Sequence, residues 1–250
     1  MSIQKFSLKQ IQEGISKFEP SAQNRVRILF VEEHIDESNF ESACKLYSNL
    51  KGTSYDDVIV LERLGHNHDK LLPMVSNTTF ITPLGPVEVN DQLRNDFCDE
   101  DDDFFIDDAG YSDRMCIYDH LMMLQSVLGE FKTVSIQIAD ERPSIVRELA
   151  SAVTELLRER NALIIVCSSI TNSKPEILDN VRTMIDEHEF SRLLNYLNTG
   201  DAGIVGRGPF AAGVLVSYNW ELVNHLTSFD DKNHAFLAGF ASIKDYSPHK

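Results

Sequence analysis

The sequence has no apolar run as long as the roughly 18 or more residues of a membrane-spanning helix. Its opening, MSIQKFSLKQIQEGISKF, is polar and amphipathic and lacks the apolar centre and small-residue cleavage site of a secretory signal. These absences lead to the expectation of a cytoplasmic protein with no membrane partner. Cysteine is sparse: Cys44, Cys98, Cys116 and Cys167 are spread widely, with no C-x-x-C pair and no zinc-finger spacing. Neither a disulfide framework nor a structural zinc site is therefore indicated, and the thiols are expected to be reduced and mostly buried. Positive charge is also short, with 23 Lys and Arg against 39 Asp and Glu and a formal net charge of -16. Binding a phosphate backbone needs clustered cations that release counterions, so nucleic acid is not an expected partner.

The chain of 250 residues is 42% hydrophobic, enough for a substantial core in one α/β domain spanning residues 1–250. Residues 1–24 read as a helical extension, with Ser7 starting a short amphipathic helix over 7–17 that ends before Pro20. Much of the negative excess lies in Asp96, Asp99, Glu100, Asp101, Asp102, Asp103, Asp107 and Asp108. Like charges repel in a packed core, so residues 96–112 read as an exposed acidic loop. Their spacing is not that of an EF-hand and no glycine sits at its turn position, which argues against calcium.

The stretch DVIVLERLGHNHDK, Asp57 to Lys70, organises the rest. Its apolar run suits a strand buried on both faces, and Gly65 marks the passage to a loop carrying His66 and His68. In open parallel sheets ligands bind beyond the carboxyl ends of the strands, where these imidazoles would stand. RVRILFV, residues 25–31, repeats the pattern, with His34 just past the strand and a helix expected over 39–50. If these two strands are parallel neighbours, His34 and His68 converge as two thirds of a two-histidine, one-carboxylate metal site.

Residues 76–90 read as a hairpin, Asp91 as the cap of a helix to Phe97, and 113–128 as a helix holding Asp119 and His120. Either of the last two could be a third metal ligand; a surface ion pair or a satisfied histidine explains them equally well. A strand from Thr133, a helix over 144–160 and a strand over 162–169 restore the α/β rhythm and predict a central, mainly parallel sheet flanked by helices. Ser168 and Ser169 end that strand, but no G-x-S-x-G elbow is present, which argues against a serine nucleophile. The segment GRGPFAAGVLVSYNWELVNHL reads as one buried helix whose start, near Gly206 and Arg207, could hold an anion. HAFLAGFASI, 234–243, reads as a closing strand.

These segments, EHIDESNFESACKLY, VIVLERLGHNH, TPLGPVEV, CSS, VGRGP and HAFLAGFAS, resemble in order and spacing the Memo family, whose fold is similar to the class III extradiol dioxygenases. The resemblance runs over roughly residues 25–243. It implies that His34 and His68 stand at the family's two metal-site histidines, and that Asp119 and His120 match a Glu-His pair. It also exposes departures. Val205 stands at the family's metal-site cysteine, and Ile170 and Ser173 replace the aspartate and histidine that follow its paired serines.

Two functions follow as expectations. One is a partly degenerate non-haem site in which His34, His68 and Asp119 or His120 hold a divalent ion, Fe, Cu or Zn, for metal-assisted oxidation. The other is an inactive binding or adaptor module, in which the same crevice takes a peptide or small anion through His66, Ser168, Ser169 and Arg207. A purely structural protein would prefer neither metals nor anions.

Overall fold

The computed structural model describes residues 3–65, 68–108, 110–112, 114–170, 175–231 and 234–244. Along the chain run α1 (Leu8–Ser16), β1 (Val26–Val31), α2 (Phe40–Tyr47), β2 (Asp57–Arg63) and β3 (Leu72–Met74). Next come β4 (Thr79–Thr82), β5 (Gly85–Glu88), α3 (Asp91–Glu100), β6 (Phe104–Ile106), α4 (Ile117–Val127), β7 (Lys132–Ile138) and α5 (Pro143–Leu157). The remainder is β8 (Ala162–Cys167), β9 (Ser169–Ile170), α6 (Pro175–Asp186), α7 (Phe190–Asn198), β10 (Ile204–Val205), α8 (Arg207–Asn219), β11 (Val223–Asp231) and β12 (His234–Ser242). Six strands form the central sheet in the order β11-β12-β1-β8-β2-β7. β1, β8, β2 and β7 are parallel, and β12 and β11 join antiparallel at one edge.

Val58 to Leu61 and Ala162 to Cys167 are fully buried, as parallel strands covered on both faces must be. Val166 and Phe30 point to one face, where a Cβ on Gly213 of α8 would meet them at 2.6 and 2.9 Å. The next residue, Cys167, lies on the opposite face with His120 of α4 and with Cys116, just before that helix. The result is a single α/β domain, helices on both sides of a mostly parallel sheet. The N-terminal helix is part of this layering: Ser7 caps it in a reciprocal capping box with Gln10, and Ile11 and Ile15 are buried.

Several expectations need correction. β1 and β2 are not neighbours, because β8 lies between them. With about 4.8 Å between adjacent strands, the loops after β1 and β2 start roughly 10 Å apart, with the end of β8 between them. The segment after Gly206 is not one helix: α8 stops at Asn219, Glu221 takes a left-handed φ of 54°, and Val223 opens β11. Asn90, not Asp91, caps α3 by accepting from the backbone N–H of Leu93. The acidic run is only partly loop, since α3 continues to Glu100 and residues 104–106 pair with β3.

Candidate functional site

Parallel strands bring the ends of β1, β2, β7 and β8 to one edge of the sheet, and two adjoining cavities open there. One, of about 500 Å³, is lined by His34, Glu33, Glu62, Arg114, Cys116 and Gln137 among others. The other, of about 440 Å³, is lined by His68, Asp140, Glu141 and Arg207, and both share Arg63, Leu64 and Gly65. Arg63 bridges the loops, its Nε 2.7 Å from Glu33 Oε1.

His34 and Asp119 come together. His34 Nδ1 lies 3.3 Å from Asp119 Oδ2, which also accepts the Ile35 backbone N–H at 3.1 Å, while Gln4 Nε2 donates to Oδ1 at 3.3 Å. Asp119 is buried and the hydrogen bond to it raises the His34 pKa above its ordinary 6.5, against partial desolvation. Its place is therefore behind the histidine, in the position carboxylates take when they orient an imidazole. His68 sits in the other cavity, where Nδ1 accepts the Lys70 backbone N–H at 3.0 Å and Nε2 lies 3.6 Å from Asp107 Oδ1. His66 and Ser173 lie outside the described residues.

His120 is fully buried below the first cavity. Its Nε2 is 3.2 Å from the Glu33 carbonyl oxygen and its Nδ1 is 2.9 Å from Tyr47 Oη. Cys116, His120 and Cys167 have the spacing of a metal site, with one ligand atom from each within 4.8 Å of the others. Among the described residues no group of three that includes His34 or His68 gathers so closely. The ligand set expected from the resemblance is therefore not assembled. Burial opposes charge on both His120 and Cys167, yet their interaction, with the Cys116 hydrogen bond to Cys167, lifts His120 to about 9 and lowers Cys167 to about 7. Glu62, also buried, accepts from the Cys116 N–H and Sγ at 3.0 Å and from Ser135 Oγ at 2.7 Å; burial raises its pKa against these donors.

The expected anion-binding residues are already engaged. Ser169 Oγ accepts the Glu33 backbone N–H at 3.0 Å, and the buried Ser168 donates its own N–H to Val31 O at 2.9 Å, so this pair ties the β1 loop to the end of β8. Neither serine lines the two cavities. At the start of α8, Glu141 Oε1 accepts the Gly208 N–H at 2.7 Å and Oε2 lies 3.4 Å from Arg207 Nε. An internal carboxylate thus occupies the helix N-terminus, although Arg207 Nε is buried without a hydrogen-bond partner among the described residues. Val205, at the family's cysteine position, is half-buried and pairs with Ser169 in the small β9-β10 ladder.

The thiol pair escaped sequence reasoning because Cys116 and Cys167 are far apart in the chain. The usable signal was Cys116 four residues before His120, which places both on one helical face.

A family model described as Memo-like protein matches residues 4–230. The chain is 29% identical over 229 residues to a MEMO1 family protein of Pyrobaculum aerophilum, covering 82% of this chain and 78% of that one. It is 27% identical over 222 residues to a MEMO1 family protein of Nitrosopumilus maritimus, covering 81% and 78%. The fold is also similar to the crystal structure of an uncharacterized protein from Escherichia coli K12, with a TM-score of 0.60, 12% identity, and coverage of 88% of this chain and all of that one.

Proposed function

Since the chain belongs to the Memo-like family, we propose that it works through the cleft at the strand ends as a cytoplasmic binder of small anionic molecules or acidic peptides. One observation carries this reading: Arg63, Arg114 and Arg207 line adjoining cavities with His34 and His68, and of the carboxylates beside them Glu33 pairs with Arg63 and Glu141 with Arg207, which leaves Arg114 over. Arg114 is exposed and makes no ion pair among the described residues. Gln137 Oε1, buried beside it without a partner among those residues, is an acceptor for a ligand hydroxyl or amide. Calorimetry with citrate, inorganic phosphate and a short acidic peptide tests the proposal. Arg63→Gln and Arg114→Gln should each weaken the ligand that binds by about tenfold, the scale of a charge-assisted hydrogen bond. Equal affinity in both variants, or no binding by the wild type, would refute it.

A second reading, metal-assisted oxidation, is favoured by Asp119 behind His34, the usual support of a ligating imidazole. In this reading His68 would have to cross from the neighbouring cavity to share iron, copper or zinc with His34. Elemental analysis of protein purified without chelator decides between the two: this reading requires near-stoichiometric metal that disappears in both His34→Ala and His68→Ala.

A further inference from the structure

We infer that Cys116, His120 and Cys167 form a buried site for a thiophilic d¹⁰ metal ion, Zn(II) or Cu(I), distinct from the cleft histidines. Two thiolates and an imidazole are a soft-to-borderline donor set that suits these ions over hard cations such as magnesium or calcium. Ligands come from two rigid elements: His120 projects from α4 one turn beyond Cys116, and Cys167 ends β8 on the sheet face that α4 covers. All three are buried, so the ion would be shielded from competing water.

The surroundings fit an outer shell. Both nitrogens of His120 are held, by Tyr47 Oη and the Glu33 carbonyl, and ligating histidines ordinarily keep one such bond on the nitrogen away from the metal. One of the two bonds is exchanged for the bond to the ion. Each thiol gives up its proton as its sulfur bonds, so loading releases up to two protons to solvent. Glu62 keeps the Cys116 N–H and the Ser135 hydroxyl when the Cys116 thiol proton leaves. Entry is available because Cys116 and Glu62 line the larger cleft cavity. With two thiolates the site is neutral around Zn(II) and carries one negative charge around Cu(I), so burial favours the former and three-coordination the latter.

The test uses full-length protein, reduced, stripped with chelator and reloaded with Zn(II) or Cu(I) separately, with affinity read by competition against a chromophoric chelator. One equivalent of at least one ion is expected. Cys116→Ser, Cys167→Ser and His120→Gln should each weaken it by at least about tenfold, while Cys44→Ser, Cys98→Ser and His34→Ala leave it unchanged. Loading the wild type with Co(II) should give a thiolate-to-cobalt charge-transfer band, a readout that needs no substitution. Absence of that band together with no retained ion, or equal affinity in the ligand and control variants, would overturn the assignment. Loss in His34→Ala would also overturn it, since the ion would then belong to the cleft.

Discussion

At the scale of residues, the His34–Asp119 pair is the part of the cleft with a measurable signature. The hydrogen bond to Asp119 favours protonated His34, so the folded-state pKa is raised above 6.5. The pair's contribution to stability is therefore fully present below about 6.5 and is lost as pH rises through the raised folded value. Proton NMR of the imidazole should give a midpoint above 6.5 that falls in Asp119→Asn; an unchanged midpoint would contradict the pairing. His34 and Asp119 were both legible as site candidates, from a strand end and from a family resemblance. Their roles were not. Whether a carboxylate ligates an ion or stands behind a histidine depends on angstrom-scale placement, and Asp119 is drawn inward by the Ile35 N–H and Gln4.

Among the elements, α8 fixes the geometry beneath the cleft. Gly206 enters it with a left-handed φ of 68°, and a Cβ there would stand 2.6 Å from the carbonyl oxygen of Cys167. Gly213 lets the helix axis approach β1 and β8, with a Cβ meeting Val166 Cγ2 at 2.6 Å. Gly213→Ala should cost ~1–3 kcal/mol by overpacking, read from urea denaturation as a lower midpoint at constant slope. Stability equal to wild type would show that this contact is slack. The main strands and helices up to Cys167 were readable, though not the short β3 and β6, because apolar periodicity and capping residues such as Ser7 are local signals. The boundary between α8 and β11 was not, since VLVSYNWELVNHL is apolar enough for either structure and the turn rests on the left-handed Glu221. Strand order was equally hidden: nothing local states that β8 inserts between β1 and β2. That insertion separates His34 from His68 and places Cys167 between their loops.

On the scale of the molecule, two features coexist at one edge of the sheet: a cleft lined by arginines, carboxylates and histidines and, beneath it, a buried thiol–imidazole group. No helix among the described residues is long and apolar enough to cross a membrane. The four cysteines are free, and Cys44, Cys116 and Cys167 are buried. The proposed anion binding is electrostatic and partly solvent-exposed, so it should weaken as salt shortens the screening length. The most direct measurement of the central claim is an NMR titration with citrate at low and high ionic strength, following the His34 ring and the arginine Nε–H signals. Saturable shifts confined to His34, Arg63, Arg114 and Arg207 are expected, with affinity falling as salt rises. Shifts scattered over the surface, or none at these four residues, would contradict it.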